Sequence, residues 1–313
     1  MKIVVSEFMD PTAVERLRAH FGSGDLLYAP ALVDMPERLM AELADCRVLI
    51  VRNRTQVRGA ILEAAPHLSL VGRLGVGLDN IDTVACADRG IRVLPATGAN
   101  ARAVAEYVLA ATLVLRRSSF FSTTEVVAGR WPRAALSSGR EAADATLGLI
   151  GYGSIGQTTA RLARAIGMQV IAYDPGLDEA SPAWMSGDTR RCSLEEVIST
   201  ADVLSLHLPL TDDTRGLLDA KRIASMKRGA ILINTARGGV VDETAVAEAL
   251  RSGQLGGAAL DVFEHEPLPA SNGFADAPNL ILTPHIAGVS FEANVRVSSL
   301  IAEAVIAAYP EGL

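Results

Sequence analysis

Three residues in the second half of the chain have side chains suited to acid–base chemistry on a small anion: Arg237, Glu266 and His285. Imidazole titrates near neutrality, so His285 could carry a proton to or from a carbonyl oxygen. Glu266 could pair with the ring, hold its orientation and support its charge. The guanidinium of Arg237 is a planar, two-pronged donor suited to a carboxylate. Each also has an ordinary interpretation, as a loop histidine, a solvated acid and a surface cation.

A glycine-rich segment lies between a strand-like run and a helix-like run. The run 147–150 leads into Gly151-Tyr152-Gly153-Ser154-Ile155-Gly156. Such glycines permit a tight turn and close approach of a pyrophosphate, which the following helix N-terminus attracts. Asp174 ends the next predicted strand, where a carboxylate binds ribose hydroxyls and repels a 2′-phosphate, so NAD is favoured over NADP. The alternative is that Asp174 only starts the turn Asp174-Pro175-Gly176.

Alternating strands and helices must position these residues, and all three acid–base candidates follow predicted strands. The alternation predicts an α/β protein with two doubly wound parallel sheets, the second with about six strands, as in a complete dinucleotide-binding domain. Strands are predicted at Ile3–Val5, Val48–Val51, Leu68–Val71, Ile91–Leu94, Thr146–Ile150, Gln169–Tyr173, Val203–Leu206, Ala230–Asn234, Gly257–Leu260 and Leu280–Leu282. Helical segments are predicted at Thr12–Phe21, Pro36–Asp45, Asn100–Gly129, Ile155–Ile166, Glu243–Ser252 and Phe291–Tyr309.

Length and composition narrow the class of protein. A chain of 313 residues favours two domains, and 49% hydrophobic with 21% charged residues is typical of a folded globular protein. The net charge of −7 argues against a nucleic-acid or anionic-membrane binder. The three cysteines lack metal-ligand spacing, which favours a reducing compartment. Without a signal peptide or a membrane-length apolar run, the sequence predicts a soluble, cytoplasmic protein.

Four motifs in order resemble the D-isomer-specific 2-hydroxyacid dehydrogenases. They are Gly151–Gly156 with Asp174, Asn234–Gly238, Asp261–Pro267 and Thr283–Gly288, and the resemblance extends back to Arg73–Asp82. It implies an NAD-dependent oxidoreductase that transfers a hydride between a nicotinamide and a small 2-hydroxy or 2-oxo acid. In that family, residues matching Arg237, Glu266 and His285 anchor the substrate carboxylate, orient the histidine and act as acid–base catalyst.

The resemblance also implies a domain organisation. A Rossmann NAD-binding domain at 99–286 would be inserted into a smaller, flavodoxin-like substrate domain formed by 1–98 and 287–313. The helical block Asn100–Gly129 would form a two-fold homodimer, although its Ala-rich face equally suits packing within the chain. For His207 a structural role is an equal alternative to cofactor contact, and no metal is expected. The expected cofactor contacts are Gly151, Gly153, Ser154, Ile155, Gly156, Asp174, Pro175, His207, Pro209, Thr214, Thr235, Ala236, Arg237, Asp261, His285 and Gly288.

The substrate of such an enzyme would lie in the cleft between the domains. The resemblance implies that Gly75, Val76 and Gly77 bind the substrate carboxylate through backbone amides, together with Arg237 and His285. If the predicted strand Val48–Val51 continued, Arg52 and Arg54 would lie on the same side of it, because strand side chains alternate. Should Arg52, Arg54 or Arg73 face the cleft, the substrate carries a second anion; otherwise all three are ordinary surface arginines.

The segments 6–10 and 51–55 resemble the branch of the family that acts on sulfolactate. The D-like arrangement is named (S) for sulfolactate, because a sulfomethyl group outranks a carboxyl group. The alternatives are 3-phosphoglycerate, also doubly anionic, and hydroxypyruvate or glyoxylate, which need no extra cation. The chain ends soon after its last predicted helix, so we expect no appended regulatory domain.

Other classes share this fold, and fold alone does not settle function. An NAD-sensing corepressor-like protein would retain the same three residues, although the sequence shows no added arms for recruiting partners. Phosphite oxidation uses a similar trio. Formate dehydrogenases carry glutamine at the position of Glu266, which argues against that activity.

Overall fold

The computed structural model describes residues 2–185 and 189–310 and divides into two compact units. One unit comprises Met1–Asn100 with Val289–Leu313, and the other comprises Ala101–Gly288. Each has its own parallel sheet.

The first unit contains a five-stranded sheet in the order β2-β1-β3-β4-β5, with every neighbouring pair parallel. This is the flavodoxin-like order. Its strands are β1 (Lys2–Val5), β2 (Leu26–Tyr28), β3 (Cys46–Val51), β4 (Leu70–Arg73) and β5 (Arg92–Pro95). Its helices are α1 (Pro11–Phe21), α2 (Pro36–Leu43), α3 (Ala60–Glu63), α4 (Thr83–Asp88) and α12 (Phe291–Ala308), with a 3-10 turn at Pro30–Asp34.

Both faces of this sheet are buried, which explains its nearly continuous apolar strands. Val48 and Ile50 of β3 belong to the core shared with α1 and α12. Leu49 and Val51 belong to the core on the opposite face. Side chains alternate along a strand, so β3 supplies both cores at once.

The second unit contains a seven-stranded sheet in the order β12-β11-β10-β9-β6-β7-β8, again wholly parallel. The order reverses at β6, as in a Rossmann fold with one additional strand. Its strands are β6 (Thr146–Ile150), β7 (Gln169–Tyr173), β8 (Thr189–Arg191), β9 (Val203–Leu206), β10 (Ala230–Asn234), β11 (Leu255–Leu260) and β12 (Leu280–Leu282). Its helices are α5 (Ala101–Arg117), α6 (Thr123–Val127), α7 (Ser154–Ala165), α8 (Pro182–Met185), α9 (Leu194–Thr200), α10 (Ala220–Ser225) and α11 (Glu243–Arg251), with a 3-10 turn at Ser119–Ser122.

The predicted fold class, two doubly wound parallel sheets, is confirmed. Two edge strands were absent from the sequence prediction: Leu26–Tyr28 in the first sheet and Thr189–Arg191 in the second. With Thr189–Arg191, the second sheet has seven strands rather than about six. Both edge strands are only three residues long, too short to show a periodic pattern. β4 extends to Arg73 because Arg73 pairs with Val51 on one side and Pro95 on the other.

Among the described residues, no helix has both the length and the apolar character needed to cross a bilayer. Over the same ranges, 2–185 and 189–310, no group of His, Cys, Asp and Glu side chains could hold a metal ion.

Candidate active site

His285 and Glu266 form a hydrogen-bonded pair on the segments that follow β12 and β11. His285 Nδ1 lies 2.8 Å from Glu266 Oε2, and the Phe263 amide donates to Glu266 Oε1 at 3.0 Å. The carboxylate is therefore fixed at both oxygens. Because Nδ1 is engaged and half of the His285 side chain is exposed (50%), Nε2 is the nitrogen available to a substrate.

The backbone of His285 is left-handed, with φ of 54°, which few non-glycine residues adopt. Buried Asp261 holds this turn. Its carboxylate accepts hydrogen bonds from the amides of Ile286 and Ala287, each at 2.8 Å, and its carbonyl accepts one from the His285 amide at 2.8 Å. The imidazole is thus presented from a backbone conformation that an adjacent buried acid stabilises.

A side-chain relay connects Asp261 to helix α5. The Thr283 hydroxyl donates to Asp261 Oδ1 at 2.6 Å, and Tyr107 Oη lies 2.6 Å from Thr283 Oγ1. Thr283 has one hydroxyl proton and gives it to the carboxylate, so Tyr107 must be the donor to Thr283. Burial raises the pKa of Tyr107, which keeps its hydroxyl protonated for this role.

The loop that carries Arg237 follows β10 and is shaped by Asn234. The buried Asn234 side chain accepts from the Ala236 amide and donates to the Arg237 carbonyl, both at 3.0 Å. Gly238 follows, and a Cβ there would lie 1.8 Å from the Phe263 carbonyl oxygen. Only glycine allows this loop and the loop carrying Glu266 to lie so close together.

The glycine-rich turn between β6 and α7 has the geometry of a phosphate cradle. Gly151 has φ of 94°, and a Cβ there would lie 2.3 Å from the His207 carbonyl oxygen. A Cβ on Gly156 would lie 2.4 Å from the Gly151 carbonyl oxygen, whereas one on Gly153 would meet no atom within 4 Å. Gly153 provides no side-chain cap for α7, so no capping side chain occupies the first amides of this helix, at Ser154 and Ile155.

Asp174 lies at the end of β7, beside the glycine-rich turn. Its Oδ2 accepts from the Tyr152 amide at 2.7 Å and its Oδ1 from the Gly176 amide at 2.9 Å. A cavity of about 640 Å³ opens here. Its lining includes Gly151, Gly153, Asp174, Pro175, His207, Pro209 and Thr214.

Two buried polar atoms, His207 Nδ1 and Thr235 Oγ1, have no hydrogen-bond partner among the described residues. His207 lines the cavity, and its Nε2 lies 3.0 Å from Ser205 Oγ. Burial lowers the pKa of His207 to about 3, so the ring is neutral. Unsatisfied buried polar atoms are rare, and a bound ligand can satisfy them. With the open space at Gly153, His207 Nδ1 in the cavity lining fits a bound dinucleotide.

The remaining expected cofactor contacts are placed as follows. Thr214 donates its hydroxyl to the Pro209 carbonyl at 2.7 Å, which fixes the turn beneath the cavity. Ala236 is buried beside Arg237, and Gly288 is the last residue of this unit.

In the first unit, Arg52 and Arg54 bind different partners. β3 ends at Val51, so the strand alternation expected to put both arginines on one side does not extend to them. Arg52 Nη2 donates to Asn294 Oδ1 at 2.7 Å, and burial lowers the pKa of Arg52. Arg54 forms an exposed ion pair with Asp34.

Arg73, at the end of β4, folds back over the glycine loop. Its Nη1 donates to the Leu74 carbonyl at 3.0 Å, and a Cβ on Gly75 would lie 1.5 Å from that nitrogen. Glycine at 75 therefore makes room for the guanidinium. Val76 and Gly77 follow and are partly exposed.

Sequence reasoning assigned no role to Glu7 or Tyr107. Glu7 is a buried acid two residues after β1, and Tyr107 lies within the apolar pattern of α5. A carboxylate at the end of a buried strand is the one signal that could have pointed to Glu7.

Comparisons with known proteins agree with this geometry. Residues 109–287 match the model of the D-isomer specific 2-hydroxyacid dehydrogenase, NAD binding domain. The chain is 50% identical to an (S)-sulfolactate dehydrogenase of Chromohalobacter salexigens, covering 95% of this chain and 94% of that protein. It is 39% identical to a hydroxypyruvate reductase of Thermotoga maritima, covering 86% and 87%.

A solved structure supports the same assignment. The D-lactate dehydrogenase of Aquifex aeolicus, complexed with NAD and lactic acid, aligns with a TM-score of 0.83 at 29% identity, covering 99% of this chain and 96% of that one. The chain therefore belongs to the D-isomer specific 2-hydroxyacid dehydrogenases, a family of NAD-dependent oxidoreductases.

Proposed function

We propose that the protein interconverts (S)-sulfolactate and 3-sulfopyruvate with NAD. The observation that carries the proposal is the position of Arg52 and Arg73 at the carboxyl ends of neighbouring strands β3 and β4. Open α/β sheets bind ligands at such ends. A substrate with a sulfonate needs a cation besides the one that binds its carboxylate, and Arg52 and Arg73 are cations at these strand ends. The 50% identity with a sulfolactate dehydrogenase supports the same substrate.

The hydrogen bonds around His285 and Glu266 support an acid–base role for this pair. In the oxidative direction, His285 Nε2 accepts the proton of the 2-hydroxyl group, and Glu266 stabilises the resulting positive ring through Nδ1. Arg237 binds the C1 carboxylate and polarises the adjacent C2 oxygen. NAD, when bound, would supply the hydride acceptor for C2. Asp174 would hold its ribose, and the amides at the start of α7 would hold its phosphates.

A panel of 2-oxo acids tests the substrate. NADH oxidation by the purified protein would be followed with sulfopyruvate, phosphohydroxypyruvate, hydroxypyruvate, glyoxylate and pyruvate. We expect the highest kcat/KM with sulfopyruvate, and Arg52→Ala should reduce it while leaving glyoxylate turnover nearly unchanged. Arg54→Ala is the matched control, because Arg54 pairs with Asp34 on the exposed surface.

The alternatives make different predictions in the same panel. Preference for phosphohydroxypyruvate would retain a doubly anionic substrate but replace the sulfonate by a phosphate. Preference for hydroxypyruvate, which the name of the Thermotoga maritima relative gives, or for glyoxylate would make Arg52 and Arg73 structural. No turnover with any acid, alongside NADH binding, would favour an NAD-sensing protein.

We also propose that the second unit forms a homodimer. Large apolar side chains are concentrated on the segments after α5, and patches of this kind mark interaction sites. Those at least 47% exposed are Phe120, Phe121, Val127 and Trp131. A two-fold interface would bury this surface against its copy. Phe120→Ser with Trp131→Ser should give a monomer by light scattering, and an unchanged mass would refute the interface.

The three cysteines, Cys46, Cys86 and Cys192, are free and buried. Free thiols are typical of a reducing compartment. We therefore propose a cytoplasmic location, which fractionation of cells can test.

A further inference from the structure

Glu7 is a buried carboxylate at the end of β1, in the first unit. Its exposed fraction is 4%, and β1 lies directly beside β3 in the sheet. A buried carboxylate is costly unless every oxygen is hydrogen-bonded. The partners of Glu7 therefore indicate what it does.

Its partners are four consecutive backbone amides of the loop that follows β3. Oε1 accepts from the amides of Arg52 and Thr55, each at 2.9 Å. Oε2 accepts from those of Asn53 at 3.2 Å and Arg54 at 3.1 Å. Burial acts to raise the pKa of Glu7, but these amide hydrogen bonds outweigh it and hold the pKa below its ordinary value. Glu7 is thus ionised near neutral pH.

Two further side chains hold the same loop. Asn80 Nδ2 donates to the Thr55 carbonyl at 2.7 Å and to the Arg52 carbonyl at 3.4 Å. Ser6 Oγ lies 3.0 Å from Thr55 Oγ1. The conformation of the loop is therefore set by side chains rather than by pairing with a strand.

Arg52 leaves this loop toward Asn294, which receives its Nη2 hydrogen bond at 2.7 Å. The hydrogen bonds to the Arg52 amide and carbonyl fix the backbone position from which its side chain extends. The carboxylate also occupies four amides that would otherwise form a concave anion-binding site. At this strand end, the Arg52 guanidinium is therefore the group that can bind an anion.

We propose that Glu7 is a positioning residue for substrate selection. By binding the amides of the loop Arg52–Thr55, it directs Arg52 toward the second anionic group of the substrate without touching the substrate itself. The inference rests on the proposed function, since it assigns Arg52 the role given there.

Glu7→Gln tests this directly. The Gln side-chain nitrogen is a donor and would face two backbone amide donors, so two of the four hydrogen bonds to the loop are lost. Loss of hydrogen bonds to a charged group suggests an increase of about tenfold or more in KM for sulfopyruvate. The kcat for glyoxylate and the Kd for NADH should change less than about twofold, because no cofactor contact is altered. Equal losses with both acids, or no loss with either, would overturn the proposal.

A matched control separates this effect from general destabilisation. Ser69→Ala removes a hydroxyl of the same unit that donates to the Arg47 carbonyl at 3.1 Å, at the end of β3 opposite the loop. It should leave the ratio of the two KM values unchanged. If Glu7→Gln fails to fold, Asn80→Ala weakens the same loop from its carbonyl side and should raise KM for sulfopyruvate selectively.

Amide hydrogen exchange tests whether Glu7 restrains the loop Arg52–Thr55, independently of which substrate the protein uses. The amides of residues 52–55 should exchange faster in Glu7→Gln and at the normal rate in Ser69→Ala. Unchanged exchange would overturn the positioning role. Preference of the wild-type protein for an acid other than sulfopyruvate would instead refute the proposed substrate, so the two failures are distinguishable.

Discussion

Gly153→Ala should separate folding from cofactor binding. Gly153 has φ of −72° and ψ of −160°, a conformation open to any residue, and its Cβ would meet no atom within 4 Å. Gly-to-Ala changes at compatible positions stabilise proteins by about 0.4–1 kcal/mol, because the unfolded chain loses entropy. For a unit of this size the unfolding temperature should rise by about 1–4 °C.

The same methyl group should impair NADH binding. It would stand in the open space where the backbone approaches the pyrophosphate. Forcing a methyl group into a packed contact costs about 1–3 kcal/mol, which corresponds to roughly 5- to 150-fold weaker binding. NADH fluorescence titration gives the affinity, and calorimetry without cofactor gives the unfolding temperature.

Two other glycine-to-alanine variants serve as controls. Gly273→Ala also places its Cβ in open space within the same unit, so it should preserve NADH affinity. Gly156→Ala places its Cβ 2.4 Å from a backbone oxygen and should lower both stability and affinity. Normal NADH affinity in Gly153→Ala would refute the assignment of the phosphate site. A lower unfolding temperature would refute the packing argument.

Three further predictions concern single residues. His285→Ala should lower kcat by about 10²–10⁴-fold through loss of proton transfer, with NADH affinity retained; near-normal turnover would exclude His285 as the acid–base group. Asp174→Ala should weaken discrimination against NADPH in steady-state assays, and an unchanged cofactor preference would show that Asp174 does not read the ribose. His207 has an ordinary pKa of 6.5 and a folded pKa of about 3, so the unfolded state binds the proton first and stability falls as pH drops through that window. His207→Gln should therefore reduce the loss of unfolding temperature between pH 7 and pH 4, and an identical loss in both proteins would show that His207 does not contribute.

Much of the fold follows from the sequence because its central strands are strongly patterned. The bounds predicted for β6, β7, β9, β10 and β12 coincide with those observed. Long-range polar contacts left no such pattern. The four amides bound by Glu7 are 45 to 48 residues away, and the Tyr107–Thr283 contact spans 176. Hydrogen bonds of this kind depend on how the chain closes on itself, which local periodicity does not encode.

The contact between Gly238 and the Phe263 carbonyl links two loops that an engineer would wish to alter separately. One carries Arg237, the proposed anchor of the substrate carboxylate, and the other carries Glu266. With a Cβ at 238 placed 1.8 Å from a backbone oxygen, any side chain there would push the two loops apart. Libraries that vary substrate size around Arg237 must therefore keep glycine at 238 or remodel both loops together. We therefore expect substitutions that move the loop carrying Arg237 to move the loop carrying Glu266 as well.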